Sequence, residues 1–471
     1  AQGLALTLKA ELRRKRSPIH GKRPLVVIGH DTRFLGREFA LATAEILQQA
    51  GLEPLLTNRD APTPVIAFSI RHKKAIGGVN ITASHNPFGY SGFKFSMPNG
   101  AGAPPEFTGK IEAHAEKLLA KGWQPKTAVI GTFSCPEFDP APAYLRRIRK
   151  LVDLQAIGKA KLRIAVELMH GTGRGYLDTL LEEAGAKVTC FHENLNPLFG
   201  GGSPEPNESG MAEAARFVRS GQADLALGLD GDADRFGIVD RDGTWLTPNQ
   251  VLALALYHLR KNRGIKGAVV RTVPTSHQVD AVAELLGVKV HETPVGFKHI
   301  GALMESEPII VGGEESGGLS IRGHIPEKDG VLACLLRKFA TLLNAFTRGL
   351  NTCTNIVSSI GTARCQRPNF TSHYSKSASM LASPRRLYRG IQCQNIGLER
   401  NAFDHLDNAL NFFGVLVDRL HGGNKLSDHF IALLRFVRHV GGRAIYMRGA
   451  FCVLIHRRGE LLKASSHLLK R

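Results

Sequence analysis

One arrangement recurs three times in the first 336 residues and limits the fold more than any other feature. An apolar, β-rich run is followed by a helical stretch and by a second apolar run that ends in a polar loop. The first runs are PLVVIGHDTR (24–33), KLRIAVELMHGTG (161–173) and GAVVRTVPTS (267–276), and the second runs are AIGGVNITASHNP (75–87), ADLALGLDGDADR (223–235) and EPIIVGGEESGG (307–318). This alternation predicts three similar α/β domains with mixed, mainly parallel sheets around a central cleft.

The helical stretches EFALATAEILQQAG, GYLDTLLEEAGA and HQVDAVAELLG each close on a Gly in or just past the last turn, as helix C-termini often do. A chain of 471 residues holds about three or four domains. Pro-rich and charged segments near 138–155 and 242–248 are the predicted boundaries. The resulting domains are 1–139, 155–244, 245–346 and a tail of 347–471.

The net charge of +20 comes mainly from the end of the chain. Residues 337–471 hold 21 of the 61 Lys and Arg residues but only 6 of the 41 Asp and Glu residues. In residues 1–336 the basic and acidic residues nearly balance, which argues against a nucleic-acid-binding fold. No nucleic acid partner is therefore expected. Binding of nucleic acid through the basic tail remains an alternative hypothesis.

Seven scattered cysteines without a C-x-x-C pair predict a reduced, cytoplasmic protein without a cysteine-bound metal. No run approaches the roughly 18 apolar residues of a membrane helix, so no membrane partner is expected. Residues 1–17 place their apolar stretch before the basic cluster ELRRKR, the reverse of a signal peptide, and predict an amphipathic helix. Because the sequence has no initial Met, we expect it to begin inside a longer protein.

The loop TASHNP (82–87) places a serine directly after a buried strand. The Asn-Pro turn can present the hydroxyl of Ser84 to a cleft, although for a lone serine a structural role in the turn is strongly favoured. A Ser–His hydrolase is disfavoured, because Ser84 and His85 are neighbours whose side chains point opposite ways on an extended segment. The chain also lacks a G-x-S-x-G elbow.

The loop DGDADR (230–235) carries carboxylates at i, i+2 and i+4, a spacing that lets three oxygens converge on a hard cation such as Mg²⁺. An EF-hand is excluded, because Arg235 and Arg241 stand where that loop needs Gly and Glu. A solvated acidic turn is the alternative. Three crowded carboxylates would repel one another without a cation, which favours the metal site.

The loop GGEESGG (312–318) offers acceptors and a hydroxyl on a flexible glycine frame, which suits the hydroxyls of a sugar. An ordinary surface loop explains this segment about as well. Upstream, TPVGFK (293–298) adds Lys298, which is either a phosphate contact or a surface residue.

Together, the TASHNP, DGDADR and GEESGG loops resemble, in their order and separation, the α-D-phosphohexomutase family of phosphoglucomutases and phosphomannomutases. The flanking motifs are similar to the family pattern as well: GHDTR (29–33), SGFK (91–94), TPVGFK (293–298) and HIPEKDG (324–330). The resemblance implies an isomerase that converts hexose 1-phosphate and hexose 6-phosphate into each other through a phosphoserine and a 1,6-bisphosphate intermediate, with glucose as the preferred hexose. Its partners would be hexose phosphates and hexose 1,6-bisphosphate.

The resemblance also implies the roles of individual residues. Ser84 would carry the phosphoryl group, Arg235 would lie beside it and Lys94 would act as acid or base. Mg²⁺ would be held by Ser84, Asp230, Asp232 and Asp234. Substrate would be bound by His85, Lys298, Glu314 and Ser316.

Two departures from the family pattern matter. The N-terminal strand with its Gly-Thr-x-Gly-x-Arg segment is missing, and no phosphate-binding loop of the Arg-x-Ser-Gly-Thr-Glu-Pro kind follows Lys338. The fourth domain is therefore not recognisable, and the tail resembles sequence foreign to the fold. A catalytically impaired relic that binds sugar phosphate or Mg²⁺ without turnover is the alternative function.

Overall fold

The computed structural model of the protein describes residues 1–14, 23–125 and 133–336. These residues form three separate sheets, one for each of the sequence repeats. The basic tail 347–471, and with it the predictions about a fourth domain, lies outside the described residues.

The first unit contains a five-stranded sheet. Its elements are α1 (Gln2–Arg14), β1 (Leu25–His30), α2 (Gly36–Gln49), β2 (Glu53–Thr57), α3 (Thr63–Lys73), β3 (Gly78–Ile81), β4 (Phe93–Ser96), α4 (Pro105–Ala120) and β5 (Glu137–Phe138). The strand order is β4-β3-β1-β2-β5, and these neighbours are parallel except for the antiparallel pair of β3 and β4.

The second unit also contains a five-stranded sheet. Its elements are α5 (Ala141–Leu151), α6 (Leu154–Lys159), β6 (Arg163–Glu167), α7 (Leu177–Glu183), β7 (Lys187–Phe191), a 3₁₀ turn (Phe199–Gly201), α8 (Ala212–Arg219), β8 (Leu225–Leu229), β9 (Phe236–Val239) and β10 (Trp245–Leu246). The order is β10-β9-β8-β6-β7, with β6 parallel to β7 and β8 and with β9 antiparallel to its neighbours.

The third unit contains a four-stranded sheet. Its elements are α9 (Pro248–Tyr257), a π-helical turn (His258–Asn262), β11 (Ala268–Thr272), α10 (Gln278–Leu285), β12 (Val290–Thr293), α11 (Phe297–Ser306), β13 (Ile309–Gly313), β14 (Leu319–Ile321) and α12 (Gly330–Leu335). The order is β12-β11-β13-β14, and only the pair of β13 and β14 is antiparallel among these strands.

The three sheets share one connectivity, which confirms the predicted repeats and the mainly parallel sheets. In each unit the first apolar run forms a central strand, and the second run forms the parallel strand beside it: β3 beside β1, β8 beside β6, and β13 beside β11. Each second-run strand then turns into an antiparallel strand. The three polar loops of the sequence are the connections at these turns, at the carboxyl ends of the parallel strands, where α/β sheets bind ligands.

The predicted glycine endings recur in all three units. Gly51, Gly185 and Gly287 follow α2, α7 and α10 with φ of 83°, 88° and 60°. After α2, the Gly51 N–H donates to the Gln48 carbonyl and the Leu52 N–H donates to the Leu47 carbonyl, the pattern of a Schellman ending. The same two bonds close α7 and α10. Glycine is favoured there because other residues avoid this left-handed backbone.

The amphipathic helix predicted at the start of the chain is confirmed as α1. Leu4, Ala5 and Leu8 are buried and belong to the core of the first unit, together with Val26 and Ile28 of β1. The opposite face of α1 is polar. Glu11, by contrast, follows Leu4 and Leu8 at helical spacing on the inner face, where it is partly buried and pairs with Lys110 of α4, which packs beside α1.

The segment 138–155, predicted as a domain boundary, contains helix α5. Tyr144 of α5 is fully buried, and its ring contacts Phe68, Tyr176 and His324. These three residues belong to the first, second and third units respectively. The prediction missed this role because charged residues, such as Arg146 and Arg147, dominate the local composition while one tyrosine makes the contacts.

None of the helices in the described parts of the chain combines the length and the apolar composition that crossing a bilayer requires.

We predict that Leu4→Ala destabilises the protein, because it leaves a cavity where α1 meets the first core. The expected loss of unfolding free energy is about 2–5 kcal/mol, measured by urea denaturation. Leu119→Ala, at a leucine of α4 that is 75% exposed, is the control and should change stability little. Equal effects of the two substitutions would contradict the packing of α1.

Candidate active site and metal centre

The structure brings the three polar loops into contact with one another. The Oγ atom of Ser84, in the first loop, lies 3.1 Å from Oδ2 of Asp230 in the second loop. Arg235, at the end of the second loop, forms an isolated antiparallel bridge with Gly318 of the third loop. The loops therefore form one continuous surface contributed by three sheets.

The loop around Ser84 holds this residue in an uncommon conformation. Ser84 has φ of 53°, in the left-handed region that residues with a Cβ seldom adopt. The Ser84 N–H donates to Thr82 Oγ1 at 2.9 Å, and the residue is only 7% exposed. The backbone conformation of Ser84 thus directs its hydroxyl toward Asp230.

A buried arginine that the sequence analysis did not assign fixes this loop. The guanidinium of Arg33 donates to four carbonyl oxygens within residues 84–90, at 2.6–2.9 Å. Its Nε atom donates to Asp31 Oδ2 at 2.9 Å, and its Cζ atom lies 4.9 Å from the ring centre of Phe199 in the second unit. Bonds from a charged donor are stronger than neutral ones, so Arg33 acts as a rigid clamp.

Asp31 completes the clamp from the end of β1. Its Oδ2 atom also accepts a hydrogen bond from the Thr82 hydroxyl at 2.7 Å. Burial raises the pKa of Asp31 to about 6, against the opposing effects of Thr82 and Arg33. The motif GHDTR was the available sequence signal for Asp31 and Arg33, but its spacing alone does not show which loop the arginine contacts.

The carboxylates of Asp230, Asp232 and Asp234 converge as the spacing predicts. One oxygen of each lies within 4.8 Å of the others, and all three residues are at most 1% exposed. Asp230 accepts hydrogen bonds from Ser84 Oγ and from the Arg235 N–H. Burial, and then the charges of Asp234 and Asp232, raise the pKa of Asp230 well above its ordinary value.

Two ammonium groups reduce the repulsion that the sequence analysis expected. Lys94 Nζ lies 3.0 Å from Asp232 Oδ2, and Lys328 Nζ lies 3.0 Å from Asp234 Oδ2. Burial raises the pKa of Asp232, but Lys94, Thr63 and other donors outweigh it and hold the pKa below its usual range. Burial lowers the pKa of both lysines, and the neighbouring carboxylates more than reverse this effect. Lys328 was missed, although it lies in HIPEKDG.

Repulsion between carboxylates is therefore a weaker argument for a metal than the sequence suggested, and the free oxygens are a stronger one. Oδ1 of Asp232 and Oδ1 of Asp234 are buried and have no hydrogen-bond partner within the described residues. Buried carboxylate oxygens without partners are costly. Together with Asp230 and the Ser84 hydroxyl, they form an all-oxygen donor set that fits a hard divalent cation such as Mg²⁺.

Arg235 and His85 flank this cluster. Arg235 Nη1 lies 3.7 Å from Glu205 Oε1, and its Nε lies 4.0 Å from Asp234 Oδ1. The Ser203 hydroxyl donates to the His85 carbonyl, so the second unit also contacts the Ser84 loop. Burial, and then the charge of Arg235, lower the pKa of His85, which favours a neutral imidazole.

The third loop places Glu314 near the same lysine that pairs with Asp234. Glu314 is 7% exposed, and burial raises its pKa. A Cβ on Gly318 would lie 2.6 Å from Lys328 Cδ and 2.9 Å from Glu314 Oε2, so a side chain there would displace these two groups. Ser316 is partly exposed in the same loop.

Lys298 is a predicted site residue for which the described part of the chain shows no contact with the other site residues. It lies in the first turn of α11 and is exposed. In the described part of the chain its ammonium makes no hydrogen bond or ion pair. Its role in binding phosphate stays a prediction.

The fold and site define an α/β protein of three homologous units whose loops join a serine to a buried carboxylate cluster. Three family models match in order: domain I of phosphoglucomutase/phosphomannomutase at residues 3–121, domain II at 142–243 and domain III at 247–350. The chain belongs to the phosphoglucomutase/phosphomannomutase family, the α-D-phosphohexomutases.

Individual relatives agree with this assignment. A phosphoglucomutase/phosphomannomutase of Thermococcus kodakarensis is 35% identical over 66% of this chain and 67% of its own length. Human phosphoglucomutase-1 is 32% identical over 68% of this chain and 62% of its own length. A crystal structure described as a phosphomannomutase of Thermus thermophilus shares 34% identity, with a TM-score of 0.64 over 72% of this chain and 75% of that chain. The chain thus spans about two thirds of these relatives.

We predict that Arg33→Lys loosens the Ser84 loop, because lysine keeps the charge but cannot reach four carbonyls and Asp31 at once. The expected destabilisation is about 3–5 kcal/mol in urea, with faster amide exchange in residues 84–90. Arg37→Lys, at an exposed ion pair with Glu137, is the control and should cost at most about 1 kcal/mol. Unchanged exchange in Arg33→Lys would disprove the clamp.

We predict that Asp232→Ala raises the Mg²⁺ dissociation constant by about tenfold or more, since it removes one charged ligand while the other two remain. Calorimetric titration measures the constant, and circular dichroism checks the fold. Asp242→Ala, in an exposed loop of the second unit, is the control. Wild-type affinity in Asp232→Ala would show that the three carboxylates are not the metal site.

Proposed function

We propose that the protein is a phosphohexomutase that interconverts hexose 1-phosphate and hexose 6-phosphate through a phosphoserine at Ser84. The single observation that carries the proposal is the 3.1 Å contact between Ser84 Oγ and the buried cluster at Asp230. A hydroxyl fixed beside a cation site suits phosphoryl transfer, because this chemistry depends mainly on positioning and charge neutralisation.

In the first half of the reaction, phosphorylated Ser84 gives its phosphoryl group to the free hydroxyl of a bound hexose monophosphate. The bond from phosphorus to Oγ breaks and a bond to the sugar oxygen forms, which yields the 1,6-bisphosphate. The sugar hydroxyl loses one proton, and Ser84 Oγ gains one. We assign this proton exchange to the Lys94 ammonium, hydrogen-bonded to Asp232 at 3.0 Å, which would give a proton to Ser84 Oγ as the phosphoryl group leaves and recover one from the sugar hydroxyl.

In the second half, the bisphosphate reverses its orientation within the cleft and returns its other phosphoryl group to Ser84. The isomeric monophosphate then leaves. The chain contributes the charge of Arg235, which lies beside the Ser84 loop and the cluster. Mg²⁺ bound by Ser84, Asp230, Asp232 and Asp234 would supply positive charge that stabilises the transferring group.

The sugar must bind in two orientations, so its contacts have to serve both. We assign Glu314 and Ser316 to the sugar hydroxyls, because they lie on the loop that meets Arg235 and Lys328. His85 and Lys298 are assigned to substrate phosphate or hydroxyl groups. We propose glucose phosphates as the preferred substrates, on the motifs TPVGFK and GEESGG and on the similarity to proteins named phosphoglucomutase-1.

We predict that Ser84→Ala abolishes turnover, because Ser84 Oγ lies against Asp230 whereas the Thr82 hydroxyl of the same loop is bonded to Asp31. A coupled assay with glucose 1-phosphate, Mg²⁺ and a trace of glucose 1,6-bisphosphate measures the rate. Mass spectrometry after incubation with the bisphosphate should find one phosphoryl group on Ser84. Ser91→Ala, at an exposed serine nearby, is the control and should keep both activity and labelling.

Labelling of another residue while Ser84 stays unmodified would refute the mechanism. Labelling of Ser84 without turnover of the wild-type chain would refute the mutase and favour the impaired relic.

A further inference from the structure

Residues 324–330, with the sequence HIPEKDG, connect β14 to α12 and touch all three units; we call them the strap. Glu327 Oε2 accepts a hydrogen bond from the Gly102 N–H of the first unit at 3.1 Å. Lys328 pairs with Asp234 of the second unit, and the Gly330 N–H donates to the Ala233 carbonyl at 3.1 Å. The strap therefore lies directly against the DGDADR loop (230–235), which we call the metal loop.

The contact between the strap and the metal loop leaves no spare room. A Cβ on Gly330 would lie 2.4 Å from the Arg235 carbonyl oxygen and 2.9 Å from that of Ala233. Because these neighbours are backbone atoms, the strap has no room to shift toward the second unit, and we expect a shift away from it to draw Lys328 from Asp234. The position of the Lys328 ammonium depends on whatever anchors the strap.

That anchor is Asp329, a fully buried carboxylate. It accepts hydrogen bonds from the Tyr144 hydroxyl at 2.7 and 2.9 Å, and from His324 Nε2 at 2.7 Å. Its Oδ1 atom also caps α12 through the Leu332 N–H at 2.9 Å. His324 belongs to the strap and Leu332 to the helix after it. Of these three donors to Asp329, only Tyr144 lies outside the strap and α12.

Tyr144 is itself held rigidly. Its ring meets Phe68 and Tyr176 edge-on, with centroids 6.0 and 5.9 Å apart, and it is fully buried. A side chain packed in this way cannot follow a moving strap. The hydroxyl of Tyr144 is thus a fixed point to which Asp329 is tied.

We propose that Tyr144 is a positioning residue that acts through Asp329 to keep the Lys328 ammonium on Asp234. The catalytic consequence of this proposal rests on the proposed function, whereas its effect on the cation site does not. Lys328 and a divalent cation compete for the negative charge of Asp234, since both are positive. Loosening the strap should therefore strengthen cation binding, whereas simple loss of structure in the loop would weaken it.

Calorimetric Mg²⁺ titration of the full chain tests the proposal with Tyr144→Phe, Lys328→Met and the double variant. Lys328→Met should lower the Mg²⁺ dissociation constant by about fivefold, and Tyr144→Phe should lower it in the same direction by a smaller factor. If Tyr144 acts through Lys328, the double variant should bind as Lys328→Met does.

The matched control is Tyr176→Phe. Tyr176 is buried in the same aromatic group, but its hydroxyl has no hydrogen-bond partner within the described residues. Its affinity for Mg²⁺ should equal that of the wild type. Should Tyr144→Phe fail to fold, Asp329→Asn replaces it, because it removes the charge that Tyr144 holds while keeping the shape.

Weaker Mg²⁺ binding in Tyr144→Phe, or additive effects in the double variant, would overturn the proposal. A wild-type chain that binds no Mg²⁺ would overturn the proposal together with the metal site. Failure of the proposed function appears separately, as absence of phosphoserine and turnover in the wild type, and the titrations remain decisive for Tyr144 in that case.

Discussion

Three carboxylates buried on one short loop are the constraint on which the rest of the structure depends. Asp230, Asp232 and Asp234 are almost inaccessible to solvent, and buried charge is tolerated only when it is paired or coordinated. The second unit that carries the loop provides few of the partners. Lys94 and Thr63 come from the first unit and Lys328 comes from the third, so the loop is stable only when the three units meet.

The shared connectivity explains how three units can supply these partners. Each unit presents the loop between β3, β8 or β13 and the antiparallel strand that follows it, and the chemistry of that loop differs from unit to unit. A serine, a carboxylate triad and a glycine-framed glutamate are thus presented by equivalent positions of similar sheets. The repeated fold provides a common geometry, and the local sequence provides the different functions.

Two buried residues that carry no chemistry themselves also fix the arrangement of the site. Arg33 fixes the serine loop through carbonyl oxygens, and Tyr144 joins three units through its ring and hydroxyl. Both are fully or almost fully buried polar residues with their hydrogen bonds satisfied. Such networks specify one arrangement, because a displaced partner would leave a buried charge or hydroxyl unpaired.

The sequence by itself determined the three α/β repeats, their glycine helix endings, the amphipathic first helix and the convergence of three aspartates. These features depend on local periodicity and short spacing, which are visible along the chain. Only the tertiary structure decided which lysines neutralise the aspartates, that Arg33 clamps the Ser84 loop, and that Tyr144 of α5 contacts all three units. Each of these contacts joins residues far apart in sequence. The residues around a single Lys, Arg or Tyr form no sequence pattern that predicts which distant residue it will contact. Lys298, which a motif suggested as a site residue, lies exposed on α11, and its role in binding phosphate stays a prediction because, within the described residues, it is not fixed by contacts with the other site residues.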